Sequence, residues 1–227
     1  EKFMHNLKKA LRLALLGSLS CLLLSGLFGS MLGKAVATLP PSLIADAHSD
    51  GHSHMADMAE DANSFLGKAL TTNLQAAQDA LMAQSPDSAM QSYVVVMSDN
   101  NVVPDAPETA AMGAVGAALS SDNLLVVRGS FAMLTSEMRD YATDPVDPPN
   151  TSITSAFHIH QGDPVENGPF QYALDVTLDE TGLSGSGAGE YSLTDEQAQA
   201  LADGQLYMDI HTTQNRGGEL RGILMPY

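Results

Sequence analysis

Two histidines separated by one residue stand in Ala156-Phe157-His158-Ile159-His160, among residue types that favour an extended strand. Residues two apart in a strand project from the same face, so His158 and His160 can present two imidazoles to one metal ion. Phe157 and Ile159 take the opposite face; if those two enter the core, the histidines lie on the outer one. The same alternation in Tyr207-Met208-Asp209-Ile210-His211-Thr212 turns Met208 and Ile210 inward and His211 outward. Three imidazoles then share a surface if the two strands are neighbours. His158, His160 and His211 are therefore the candidate ligands of a copper or zinc ion. The competing reading is structural, with imidazoles hydrogen-bonded to backbone or to Asp209 and Glu219 and holding loops in place.

Other residues offer weaker chemistry. His48, His52 and His54 form a short tract that can capture metal, although its Gly-containing context favours adventitious binding. Asp144, Asp147 and Asn150 supply oxygen ligands suited to Ca²⁺, but without the spacing of a dedicated calcium loop. Glu219 and Arg221 share a strand face and are expected to pair with each other or with a loop. Gly217 and Gly218 fit a hairpin turn that needs a positive backbone angle. The chain has no Gly-x-Ser-x-Gly elbow, phosphate loop, dinucleotide fingerprint or His-Glu-x-x-His helix, and no catalytic residue is assigned.

The elements that must position the histidines are mostly strands. Tyr93 to Met97, Leu124 to Phe131, Ala156 to His160, Phe170 to Leu178, Tyr207 to Thr212 and Leu220 to Met225 are short β-branched or aliphatic runs, punctuated by Gly, Pro, Asn and Asp. Many short strands with one brief helix predict a mainly β fold: a Greek-key sandwich or barrel with one short crossover helix, preceded by an N-terminal helical segment. The crossover helix begins at Thr194-Asp195-Glu196-Gln197, which fits a capping box, and stops at Gly204. Thr143 to Ser155, with three prolines and no periodicity, reads as a surface loop. Between residues 38 and 91, Met55, Met58, Ala59, Ala62, Phe65, Leu66, Ala69, Leu70, Leu74, Ala77 and Leu81 recur at spacings of three and four and predict one or two amphipathic helices.

Charge narrows the partners. The formal net charge is -17, and half of the ten basic residues fall in the first 34 positions. From Thr38 onward five basic residues face 26 acidic ones, all 27 less Glu1, a net of -21. Such a surface repels a phosphate backbone and excludes a nucleic-acid role. Ahead of that body, a basic stretch (Lys8, Lys9, Arg12), an apolar run from Leu13 to Leu32 and Ala35-Val36-Ala37 have the three regions of a secretory signal cleaved after Ala37. The alternatives are an uncleaved anchor, in which case the membrane is met only through this leader, and lipidation at Cys21, the single cysteine. The body can form no internal disulfide.

Three segments together resemble the CHRD (chordin-type) domain family. Ser98-Asp99-Asn100-Asn101-Val102-Val103-Pro104, with the small-residue strand Ala111 to Gly116, is similar to the family's opening, with Val102 where a Glu is usual. Ala156-Phe157-His158-Ile159-His160-Gln161-Gly162 is similar to its Ala-His-Ile-His-Gly element. Leu193 to Thr212 with Gly217-Gly218-Glu219-Leu220-Arg221-Gly222 is similar to its ending. The resemblance implies an extracellular β-domain over residues 92–227, behind a leader (1–37) and a His-containing helical zone (38–91). It implies no established reaction.

A fainter likeness is to copper-zinc superoxide dismutase, a Greek-key protein in which a His-x-His strand supplies copper ligands. This chain lacks the zinc-loop histidines and the disulfide, and its acidic body would not steer an anionic radical. The expected function is an exported, non-enzymatic module binding an unknown protein or surface partner. The alternatives are an extracytoplasmic copper- or zinc-binding protein, and a peripheral lumenal or periplasmic subunit of a membrane assembly.

Overall fold

In the computed structural model, residues 50–227 are described, with side chains from Glu60 onward. The leader, Cys21 and His48 lie outside the described residues, as do the side chains of His52 and His54. One helix, α1 (Asp50–Gln84), accounts for the apolar periodicity before the strands. A single helix forms because no proline interrupts the pattern, and Gly67, its one interior glycine after Gly51, faces open space.

Ten strands follow: β1 (Met90–Met97), β2 (Met112–Ser120), β3 (Leu124–Ala132), β4 (Phe157–Gln161), β5 (Phe170–Ala173), β6 (Asp175–Leu178), β7 (Gly185–Ser192), β8 (Leu206–Ile210), β9 (Leu220–Ile223) and β10 (Met225–Pro226). They form two antiparallel sheets, six strands in the order β10-β1-β2-β3-β7-β6 and four in the order β5-β4-β8-β9. A short helix, α2 (Asp195–Ala202), carries the chain from the first sheet to the second. Its capping box is present as expected: Gln197 N–H donates to the Thr194 hydroxyl, and Thr194 N–H donates to the Gln197 side chain. Gly204, just past its end, takes φ +70°. The architecture is the mainly β sandwich with a crossover helix that the sequence predicts.

The core lies between the sheets. Val95, Met97, Val115, Val127 and Phe131 meet Phe157, Ile159, Met208, Ile210 and Leu220, all buried. β2 and β3 are covered on both faces, because Ala118 of β2 and Val126 of β3 turn the other way and pack beneath Ala77 and Leu81 of α1. This explains the small-residue run in β2. A Cβ on Gly116 would come within 2.2 Å of the Leu74 backbone, so only glycine lets the helix lie this close. The buried Asn73 side chain closes the contact by donating to the Ala114 carbonyl and bonding Ser130.

Three expectations are corrected. Phe170 to Leu178 is not one strand: the chain leaves the four-stranded sheet at the fully buried Leu174 and enters the six-stranded one. Leu220 to Met225 splits in the same way around buried Leu224. Neither change of sheet alters the local apolar pattern, so neither is visible in it. β7 (Gly-Ser-Gly-Ala-Gly-Glu-Tyr-Ser) was not expected, because its glycines resemble a loop. A Cβ on Gly187 would stand 2.7 Å from the Phe157 ring, so the bare backbone is the seat of a core aromatic.

Candidate metal centre

Phe157 fixes the orientation of the histidines. Its ring fills the space over Gly129 and Gly187 and meets Phe131 edge-on, with centroids 5.9 Å apart. With Phe157 and Ile159 anchored inward, His158 and His160 must face outward. β8 pairs with β4 so that His158 stands opposite Asp209 and His160 opposite Tyr207. His211 follows β8 directly, and its backbone N–H donates to the carbonyl of Ala156, the residue before β4. The two strands are neighbours, and the three imidazoles share one face as the alternation predicts.

That face is largely withdrawn from solvent, with His160 half-buried. His158 retains 2% and His211 8% of their surface. Tyr141, two residues before the proline-rich loop, lies with its ring 5.2 Å from His158 and 6.4 Å from His211. Phe170 meets His158 edge-on at 5.2 Å, and Tyr207 stacks on His160 at 5.3 Å with 7° between the planes. The cover over the histidines therefore comes from just ahead of the segment read as a surface loop (Thr143 to Ser155), a long-range contact that local sequence does not signal.

The rings converge. Their centroids are 5.0 Å apart for His158 and His211, 5.6 Å for His158 and His160, and 6.2 Å for His160 and His211. One nitrogen of each lies within 4.8 Å of those of the other two. Each ring also has a backbone carbonyl on one side: Ser155 O at His158 Nε2, Gly168 O at His160 Nδ1 (3.1 Å) and Arg216 O at His211 Nδ1 (3.1 Å). A carbonyl only accepts, so in each neutral ring the nitrogen facing it carries the proton and the opposite nitrogen carries the lone pair. His160 Nε2 and His211 Nε2 are those opposite nitrogens in two of the rings, and both are buried without a hydrogen-bond partner.

Burial keeps the rings neutral. Desolvation, reinforced by the neighbouring imidazoles, pushes His158 down to about 3. Desolvation first, then His160, pushes His211 down to about 4, and His160 is lowered for the same first reason. Neutral imidazoles with tautomers fixed by backbone carbonyls are the donor set that transition metals take, with carbonyls in the supporting role usual around such ligands.

The carboxylates nearby are committed elsewhere. Asp209 and Arg221 form a buried ion pair. Asp144 binds both Arg139 and Arg216, so the proposed Ca²⁺ ligand already serves two guanidinium groups. Glu219 and Arg221 do not pair with each other. Glu219, fully buried, accepts from the Thr109, Thr135 and Thr212 hydroxyls and from the Thr135 N–H. Gly218 takes φ +133° in the turn before it, and Gly217 does not share that positive angle. Sequence reasoning passed over Tyr207, although Tyr207, Asp209 and His211 alternate onto one face and were legible as a set.

No curated protein and no solved structure matches the chain. A family match does cover residues 93–224, from β1 to the end of β9, leaving α1 outside it. By that match the chain belongs to the CHRD domain family, whose domains occur in extracellular or secreted proteins.

Proposed function

We propose that this protein is an extracytoplasmic, non-enzymatic CHRD module that binds copper or zinc through His158, His160 and His211. One observation carries the reading: three imidazoles, two of them buried and one half-buried, each bonded to a backbone carbonyl, bring one nitrogen apiece within 4.8 Å of one another. Imidazoles that only held loops would leave no reason for His160 Nε2 and His211 Nε2 to be buried without partners. The ion would replace the missing hydrogen bonds and tie β4, the end of β8 and the covering loop together. Export is supported by the signal-like leader and by the family's occurrence.

The test is elemental analysis of the full chain, purified without a histidine tag and dialysed against copper or zinc. A parallel variant carries alanine at His48, His52 and His54. One ion per chain in both proteins, lost in His160→Gln and His211→Gln, is the expected result. Metal that disappears with the N-terminal tract, or no metal at all, overturns the reading.

A further inference from the structure

Resting on that metal-site reading, we infer that the site selects monovalent copper, held by three imidazoles alone, over divalent zinc. Two independent features of the geometry point this way.

The first is charge. The cluster consists of three neutral histidines, with no carboxylate or thiolate among its members in the described residues. Both Asp209 oxygens are taken by Arg221 at 2.7 Å each, and both Asp144 oxygens by Arg139 and Arg216. Each Glu219 oxygen already accepts two hydrogen bonds. No anionic ligand is left to offset a cation. The cost of burying an ion grows with the square of its charge, so a divalent ion here costs about four times as much as a monovalent one.

The second is coordination number. A three-histidine zinc site completes its tetrahedron with a water or substrate. Here the His160 and His211 acceptor nitrogens are closed to solvent, and Tyr141, Phe170 and Tyr207 pack around the rings. Among the described residues no fourth His, Cys, Asp or Glu joins the three to complete a zinc tetrahedron, whereas monovalent copper, a closed-shell ion, is satisfied by three. The spacing agrees in direction. With bonds of about 2.0 Å, a trigonal ion holds its nitrogens about 3.5 Å apart and a tetrahedral one about 3.3 Å. The present nitrogens lie within 4.8 Å of one another, a spread on which the wider trigonal set makes the smaller demand.

The experiment is a pair of competition titrations on the full chain carrying alanine at His48, His52 and His54. Monovalent copper is titrated under anaerobic conditions against a chromophoric copper chelator, and zinc against a zinc chelator. Copper is expected to bind one per chain, tighter than zinc by a factor on the order of 100. The loaded protein is expected to remain silent in electron paramagnetic resonance after exposure to air. Zinc binding as tightly as copper, or copper turning paramagnetic in air, overturns the selectivity and leaves the metal site standing. Failure of both metals to bind overturns the site as well.

Discussion

Asp209 and Arg221 face each other across β8 and β9, joined by two bonds of 2.7 Å and almost wholly withdrawn from solvent. The guanidinium also donates to the Pro164 and Glu166 carbonyls and to the Asn167 side chain, and lies 4.3 Å over the centre of the Tyr207 ring. One arginine therefore fastens the turn between β4 and β5 to the face that bears the histidines. The next residue of that turn, Gly168, holds His160 by its carbonyl and donates its N–H to the Tyr207 hydroxyl.

Removing one partner of this pair leaves a buried charge without compensation. Arg221→Met is expected to lower stability by about 3–5 kcal/mol, measured by urea denaturation. Adding Asp209→Leu to that variant should recover a substantial part, because the stranded carboxylate is then gone. A single variant as stable as the parent would show that the pair does not order the turn.

The helix ahead of the family domain is expected to be part of its fold. Gly116→Ala forces a methyl group against the Leu74 backbone, and the helix must lift from β2. The expected loss is about 1–3 kcal/mol in denaturation, with faster proteolysis between residues 60 and 84. Unchanged stability and unchanged cleavage would mean that α1 does not rest on the sheet.

A tyrosine bolts the two sheets together. The Tyr191 hydroxyl on β7 donates to the Ala173 carbonyl at 2.7 Å, and Ala173 stands opposite His158 on β5. Burial pushes the Tyr191 phenol well above its usual value near 10. Above pH 10 the unfolded chain loses that proton while the folded one keeps it, so this group's contribution is complete below pH 10 and is lost as pH rises further. Tyr191→Phe is expected to cost about 1 kcal/mol at pH 7. It should also flatten the alkaline fall in stability, read by denaturation at several pH values. An alkaline limb identical to the parent's would contradict this assignment.

Phe157 sets which face the histidines take. Phe157→Ala empties the seat over Gly129 and Gly187 and should cost about 3–5 kcal/mol. Phe157→Leu is expected to keep the fold and the metal stoichiometry while weakening both. Loss of metal with full stability in the leucine variant would place Phe157 in direct contact with the ion, contrary to its position in the core.

What the sequence disclosed was local and periodic. Alternation around Phe157 and Ile159, and around Met208 and Ile210, gave the inward residues and the shared face of His158, His160 and His211. The capping box located α2 to the residue because its bonds join positions three apart. What stayed hidden depended on distant partners. The glycines of β7 acquire meaning only beside the Phe157 ring, and Leu174 and Leu224 mark changes of sheet only when both sheets are in view. Likewise, nothing near Tyr141 in sequence indicates that it covers His158, and the 12-residue separation of Asp209 and Arg221 conceals their pairing. Alternation placed the imidazoles on an outer face; only the loops above them make that face a buried site.

The most direct measurement is X-ray absorption fine structure at the metal edge of the loaded full chain, with His48, His52 and His54 replaced by alanine. Scattering from three imidazoles bound to one ion is the predicted result, falling to two in His211→Gln. A shell of oxygen or of a single imidazole, or a spectrum indifferent to substitution at His158, His160 and His211, would contradict the account.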